Sequence, residues 1–383
     1  MRFFYQLLFF LFFSTAYGVD QIIFLFDNGE KNMVASMFEF AEKEDPNGLQ
    51  NLDFKIVFMG ASIDAMNKAP FCHFPEKLIH YKELGIDETI DHTWKRDRKI
   101  DPREIEELAE QLHIEKKVWV PVSCSIFEQI LCHFQDNTTV DVAVLRDNPN
   151  ATGDSDYFVV ADKIQQLAHK VLVPSEATAV SLKPESQKIV IMGHGPTDEW
   201  IEQAKAIDKT KIIKRLKLDE KVPIVVFAGS YGGYYEEAFK LFLDIVPHED
   251  VQVLVVPHPR YKGALEKELC KGLPHKIVAE FQSEPTEYAK TVEAIAIADT
   301  VITTDATSTV VFHANALKKP VFLVNERTSL ATETVIEKGL ITKLSSKEDF
   351  LSIIHSPTSS VNAYQILGLP KNGAQLLWDQ FKN

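Results

Sequence analysis

Only four cysteines occur in 383 residues, Cys72, Cys124, Cys132 and Cys270, and none stands in a CxxC pair or at Cys/His ligand spacing. A zinc-finger or thioredoxin-type reading therefore has no basis, and packed thiols are favoured over a disulfide framework. Positive charge is also scarce. There are 41 Lys and Arg against 55 Asp and Glu, a formal net charge of −14, which argues against a nucleic-acid-binding surface. The chain has no P-loop, no GxGxxG, no GxSxG and no His/Cys/carboxylate cluster at metal-ligand spacing. Motif-borne ATPase, serine-hydrolase and metalloenzyme readings find no support, and no metal or cofactor is expected. Beyond residue 20 nothing reads as a membrane segment or a low-complexity tract.

The first twenty residues differ. Met1-Arg2 precedes FFYQLLFFLFF, and Ser14-Thr15-Ala16-Tyr17-Gly18 follows. One basic residue, a short apolar core and small residues at Ala16 and Gly18 predict a secretory signal over residues 1–18, cleaved after Gly18. The run falls short of the ~20 apolar residues of a membrane span, so the competing reading is a short signal-anchor that would keep the protein near a membrane. Either way, export through the secretory pathway is expected, to a periplasm or the outside, or to an ER–Golgi lumen. Two sequons, Asn137-Thr138-Thr139 and Asn150-Ala151-Thr152, matter only in a eukaryotic pathway.

Hydrophobic residues make up 45% of the chain and charged residues 25%, as in a globular protein, and the length suits two domains that each bury a core. Strand-like and helix-like stretches alternate throughout. In the first half, strands are expected at 21–26, 54–59, 118–122, 140–145, 171–173 and 188–192, with helices between them and Asp45-Pro46-Asn47-Gly48 as a turn. In the second half, Ile224–Ala228, Val251–Val256, Thr300–Thr304 and Pro320–Val324 are short, β-branched and apolar without alternation, as buried parallel strands are. The expected fold class is α/β, with two doubly wound Rossmann-like domains.

In open parallel sheets, ligands sit beyond the carboxyl ends of strands. Four loops there carry candidates. Gly229-Ser230-Tyr231-Gly232-Gly233 follows a strand and precedes a helix, so Gly229, Ser230, Gly232 and Gly233 suit either a phosphate cradle or a plain turn. Pro257-His258-Pro259-Arg260 places an imidazole and a guanidinium where a pyrophosphate could be held. Asp305-Ala306-Thr307-Ser308-Thr309 offers hydroxyls at a helix start, either for an anion or for N-capping. Asp27-Asn28-Gly29-Glu30 makes Asp27 a candidate general base or a helix cap, and Ser123 and Ser125 line a similar strand end.

His258-Pro259 and the stretch from Ala298-Asp299 to Ser308-Thr309 resemble the C-terminal half of GT-B-fold transferases. The likeness is to CDP-glycerol glycerophosphotransferases and bacterial sialyl- and polysialyltransferases, and more distantly to UDP-N-acetylglucosamine 2-epimerases. Asp27 and its neighbours partly resemble the acidic motif that carries the general base of the sialyltransferases, with Asn28 departing from it. Gly193, Pro196 and Asp198 resemble a hinge motif from whose spacing the extra Gly195 departs, and a helix N-terminus after a flexible turn is the alternative.

The resemblance implies an acceptor-side domain over 19–190, a junction over 191–222, a nucleotide-donor domain over 223–365 and a terminal helix over 366–383 crossing back, with a cleft between the domains. In those families the HP histidine and the Ser/Thr pair contact donor phosphate, which implies that role for His258, Ser308 and Thr309, while Arg260, Thr307, Ser230 and the 229–233 glycines are candidates for it by their place at strand ends and helix starts. Phe281 and Glu293 are candidates for base stacking and ribose binding, or for core and surface roles. The implied reaction moves a sugar or phosphopolyol from a CMP-, CDP- or UDP-linked donor to a glycan or polyol hydroxyl. The alternatives are a nucleotide-sugar 2-epimerase or hydrolase, and an exported non-catalytic nucleotide- or glycan-binding protein. Activated donors are cytoplasmic in bacteria, so the signal-like N-terminus opposes the transferase reading unless the host has a Golgi lumen or the segment only anchors the chain.

Overall fold

Runs of Val, Ile and Phe become strands covered on both faces. The strand Ile224–Ala228 is buried at every position, as is Thr300–Thr303, and Val19–Leu25 at all but one. The computed structural model describes residues 19–84, 114–135, 139–148, 155–181, 188–230, 233–247, 250–258, 263–278, 289–306, 308–325, 330–355 and 362–383, with Arg103, Glu107 and Leu112 as isolated positions. The signal-like segment, most of residues 102–112, the asparagines of both sequons, and Gly232, Arg260, Phe281 and Thr307 lie outside the described residues. Among the described residues no helix is long and apolar enough to cross a membrane.

The chain divides into two units, one of Met1–Gly195 with Asn372–Asn383, the other of Pro196–Lys371. The first contains β1 (Val19–Leu25), α1 (Asn28–Glu44), α2 (Pro46–Asn51), β2 (Phe54–Phe58), β3 (Leu78–His80) and β4 (Ile114–Pro121). It continues through α3 (Ile126–Gln135), β5 (Asp141–Leu145), α4 (Ser155–Gln166), β6 (Lys170–Val173), α5 (Glu176–Ser181) and β7 (Ile189–Ile191). Its seven strands are all parallel, in the order β3-β2-β1-β4-β5-β6-β7.

The second unit begins within α6 (Gly195–Ala206) and holds α7 (Lys209–Arg215), β8 (Ile224–Ala228), α8 (Tyr235–Ile245), β9 (Gln252–Val256), α9 (Ala264–Leu269) and β10 (Lys276–Ile277). It ends with α10 (Thr291–Ile297), β11 (Thr300–Thr303), α11 (Thr309–Ala316), β12 (Val321–Leu323), α12 (Leu330–Glu337), β13 (Thr342–Lys343), α13 (Lys347–His355) and α14 (Ala363–Leu367). Its six parallel strands are ordered β10-β9-β8-β11-β12-β13. The expected α/β class, two doubly wound parallel sheets, is what forms.

The last helix, α15 (Gly373–Lys382), belongs to the first unit. It lies on α1, and the reason is readable in both helices. Met33, Val34, Met37, Phe38 and Ala41 repeat every three or four residues along one face of α1. Leu377, Trp378 and Phe381 do the same on α15. Phe381 is fully buried, with ring centroids 5.8 Å from Phe38, 5.6 Å from Phe54 and 5.6 Å from Trp119. Burial of each such aromatic ring contributes about 1.5–3 kcal/mol. Trp378 Nε1 donates to Asp45 Oδ2 at 3.1 Å, satisfying the indole without breaking the seam.

One local expectation is corrected. Asp45-Pro46-Asn47-Gly48 is not a free turn but the start of α2, because Asp45 caps Gly48 N at 3.1 Å and Pro46 fits the first helical position. The proline-rich stretch after residue 63 contains three-ten turns and the edge strand β3, paired with β2.

Candidate active site

In each sheet the strand order reverses once, between β1 and β4 in the first unit and between β8 and β11 in the second. Such switch points open a crevice at the carboxyl ends of the strands.

At the first switch point Asp27 follows β1 and caps α1. Its Oδ1 accepts from Asn28 N at 2.6 Å, and Glu30 completes a capping box. Glu30 is 2% exposed, and its Oε1 accepts from Phe26 N at 3.1 Å, Asp27 N at 2.5 Å and the Ser123 hydroxyl at 3.3 Å. The candidate base Asp27 thus also caps a helix through Oδ1, and Ser123 donates to Glu30. Ser125 immediately precedes α3, its carbonyl accepting from Glu128 N at 3.1 Å.

A third carboxylate, Asp147, arrives from the end of β5. A Cβ placed on Gly29 would lie 1.5 Å from Asp147 Oδ2, so the carboxylate fills the space beside the first turn of α1. Its backbone is fixed on both sides. Arg146 N donates to Leu172 O at 2.9 Å, the buried Arg146 Nη1 donates to Gln165 Oε1 at 3.1 Å, and the Thr178 hydroxyl donates to Asn148 O at 2.8 Å.

Crowding and burial act strongly on these acids. Burial, then the charges of Asp147 and Asp27, push Glu30 up to about 8. Desolvation, then the charge of Asp27, raises half-buried Asp147 to about 6, against its own and Asn148's backbone N–H groups and Arg146. His194, after β7, is buried and pushed down to about 4, while its hydrogen bond to the Asp147 carbonyl opposes that shift. At neutral pH, Glu30 thus tends to hold a proton, Asp147 to be ionised and His194 to be neutral. No group of His, Cys, Asp and Glu among the described residues is arranged to hold a metal ion.

The second unit gathers different chemistry. A Cβ on Gly229 would lie 2.9 Å from His258 N, 2.9 Å from Tyr235 Oη and 3.0 Å from Val256 O, so the ends of β8 and β9 touch at a residue with no side chain. Across the switch point, Ser230 Oγ donates to Asp305 Oδ2 at 3.5 Å. Asp305 N donates to Thr303 Oγ1 at 3.1 Å, and Ser308 caps α11 by accepting from Val310 N at 3.4 Å. Gly229, Ser230, His258, Asp305 and Ser308, with Thr309 as the first residue of α11, thus stand on neighbouring strand ends.

Gly233 has open space around it. Glu293 is spoken for elsewhere, its Oε2 accepting from Arg215 Nη2 at 2.7 Å and from Lys290 N at 2.9 Å as the cap of α10. Those bonds outweigh desolvation and hold its carboxyl below the usual range.

No protein-family model matches this chain, and no curated protein matches it in sequence. Solved structures do match. The Methanocaldococcus jannaschii UDP-GlcNAc 2-epimerase covers 95% of this chain and 99% of its own, with a TM-score of 0.57 at 14% identity. The Neisseria meningitidis UDP-GlcNAc 2-epimerase bound to UDP-GlcNAc gives 0.58 at 13% identity, over 95% and 100% of the two chains. A glycosyltransferase of Rickettsia africae ESF-5 gives 0.54 at 14% identity, over 96% and 93%. The fold is GT-B-like. At these identities the likeness is one of fold alone, and it runs to the epimerases that the sequence resembles more distantly.

Asp147, Glu30 and His194 are the additions that the sequence reading did not select. Asp147 follows an expected strand, and that position was its one visible signal.

Proposed function

We propose that this GT-B-like chain is an enzyme acting on a nucleotide-activated sugar or polyol, with the second unit binding the nucleotide and the first supplying proton transfer. The observation that carries the proposal is Asp147. It is a half-buried carboxylate at a switch point, held by its backbone on both sides and raised to about 6. A base with a pKa near working pH combines the right protonation state with driving force for proton transfer.

In the transfer reading, Asp147 takes the proton of an acceptor hydroxyl. The hydroxyl oxygen bonds to the transferred group as that group's bond to the donor phosphate breaks, and a nucleotide leaves. Protonated Glu30 limits the negative charge around Asp147 so that the base remains available. In the second unit, His258, Ser308 and the start of α11 are the groups suited to a leaving phosphate. Asp305 presents a carboxylate, which accepts hydrogen bonds and repels an anion, and so suits a hydroxyl better than a phosphate.

A second reading is 2-epimerisation of a UDP-sugar, favoured by the whole-chain fold likeness to UDP-GlcNAc 2-epimerases.

Thermal-shift measurements with CMP, CDP, UMP, UDP and GDP test the common ground, because a ligand of the native state raises the melting temperature. A selective rise with one nucleotide is expected, and no rise with any of them would overturn the proposal. UDP-GlcNAc in heavy water then separates the readings. Deuterium entering the sugar at carbon 2 marks epimerisation, and nucleotide release only when a hydroxyl acceptor is added marks transfer. Asp147→Asn should abolish whichever is seen.

A further inference from the structure

Behind Asp147 lies a buried polar framework that the proposed reaction does not itself use. Alternation along β5 sends Val142 and Val144 to one face of the sheet and Ala143 and Leu145 to the other. Arg146 follows Val144 into the face covered by α4, where it is fully buried and its guanidinium donates to Gln165. Asp147 follows Leu145 to the face of α1, where its carboxylate meets Gly29. One residue on, the Asn148 carbonyl accepts from the Thr178 hydroxyl at 2.8 Å.

Thr178 and Ser175 are both wholly buried, and their hydroxyls form a directed chain. Thr178 has one hydroxyl proton and a carbonyl can only accept, so that proton lies on the bond to Asn148. The 3.1 Å bond between the two hydroxyls is then donated by Ser175. Ser175 Oγ in turn accepts from Thr178 N at 3.0 Å, capping the start of α5. Each hydroxyl is oriented by the other, and a satisfied buried chain of this kind rigidifies what it ends on. It ends on the residue next to Asp147.

We infer that Thr178, with Ser175 behind it, is a positioning residue for Asp147: its hydroxyl fixes the chain after the aspartate while buried Arg146 fixes it before, so the carboxylate stays pressed into the space at Gly29. The inference deepens the role proposed for Asp147 and rests on that reading only for its effect on turnover. Turning the Asp147 backbone would drag a buried guanidinium with it on one side and break a buried hydrogen bond on the other. Release at Asn148 removes the second restraint, and the carboxylate then moves toward water. A base set in place beforehand needs no reordering when an acceptor arrives.

The test titrates the Asp147 carboxyl by carbon-13 NMR, its signal assigned through Asp147→Asn, in wild type, Thr178→Val, Thr178→Ser and Ser175→Ala. The wild-type carboxyl is expected to titrate at about 6. Thr178→Val keeps the shape and removes the hydroxyl, and should bring the titration down toward the ordinary 3.8 as the carboxylate gains water. Thr178→Ser still donates to Asn148 and should restore the wild-type value. Ser175→Ala withdraws the support of Thr178, should move the titration the same way, and serves if Thr178→Val does not fold. UDP affinity, a property of the second unit, should not change, while turnover falls about a hundredfold in Thr178→Val, the scale of a ~1 Å misplacement. A merely structural role would lower the unfolding midpoint and leave the titration in place. A wild-type titration in Thr178→Val or, where that variant does not fold, in Ser175→Ala would overturn the inference, as would a shift in Thr178→Ser equal to that in Thr178→Val. If wild type turns over no nucleotide-activated donor, the catalytic reading fails while the titration still decides this one.

Discussion

The carboxylate of Asp147 stands where a side chain on Gly29 would have to be, 1.5 Å from the position of its Cβ. A residue at the start of the first helix is therefore a glycine because of an acid about a hundred residues later in the chain.

Gly29→Ala should thus act through Asp147. Overpacking of this kind costs about 1–3 kcal/mol, and the far end of the aspartate must swing away. Denaturant unfolding should show that loss in Gly29→Ala and its recovery in Gly29→Ala/Asp147→Ala. Additive losses in the double variant would mean that the two residues do not meet.

Glu30 gives a pH signature. Its folded pKa is raised from 4.5 to about 8, so its contribution favours folding most below the ordinary value and is lost as pH rises toward 8. Asp147, raised from 3.8 to about 6, adds a parallel fall at lower pH. The melting temperature should therefore decline on the alkaline side, and Glu30→Gln, neutral at every pH, should flatten the part above about pH 6. An unchanged slope would refute a protonated Glu30.

His194 works in the opposite sense. Burial lowers its pKa from 6.5 to about 4, so its contribution is intact above 6.5 and disappears as pH falls toward 4. His194→Asn should remove that acid-side loss. The difference between the two melting curves over pH 4–6.5 carries the reading, since Glu30 and Asp147 move stability the other way there.

Phe381→Ala should destabilise the first unit by about 3–5 kcal/mol, the usual cost of emptying a buried aromatic site. Its ring meets Phe38, Phe54 and Trp119, all in that unit. Amide exchange should quicken in β1 and β2 and stay unchanged in β8 and β11.

Periodicity and composition made much of the fold legible. The runs at 251–256, 300–304 and 320–324 became β9, β11 and β12 because their β-branched residues are buried on both faces. Strand β3 was hidden because only three half-buried residues separate three-ten turns. Asp45-Pro46 misled for a local reason, since the same pair that signals a turn also caps a helix.

The candidate site was less readable. His258, Ser230 and Asp305 could be placed by their position after strands. The Asp27–Glu30–Asp147 group depends on β1, β4 and β5 lying side by side, and strand order is not written in local pattern. Asp27 was visible as an acid after a strand, and its Oδ1 accepts from Asn28 N at the start of α1.

Gly373, at the start of α15, has no room for a side chain, because a Cβ would fall 2.4 Å from His194 N and 2.6 Å from Gly195 N. The chain leaves the first unit and re-enters it at one spot, with the second unit inserted between. During synthesis the N-terminal unit therefore emerges first and is finished last. Phe38, Phe54 and Trp119 lack the Phe381 ring until α15 leaves the ribosome, an incomplete apolar core of the kind that chaperones hold and proteases find. A chain lacking α15 would leave Phe38 without the Phe381 ring that covers it, so completion of the first unit reports that the second has already been made.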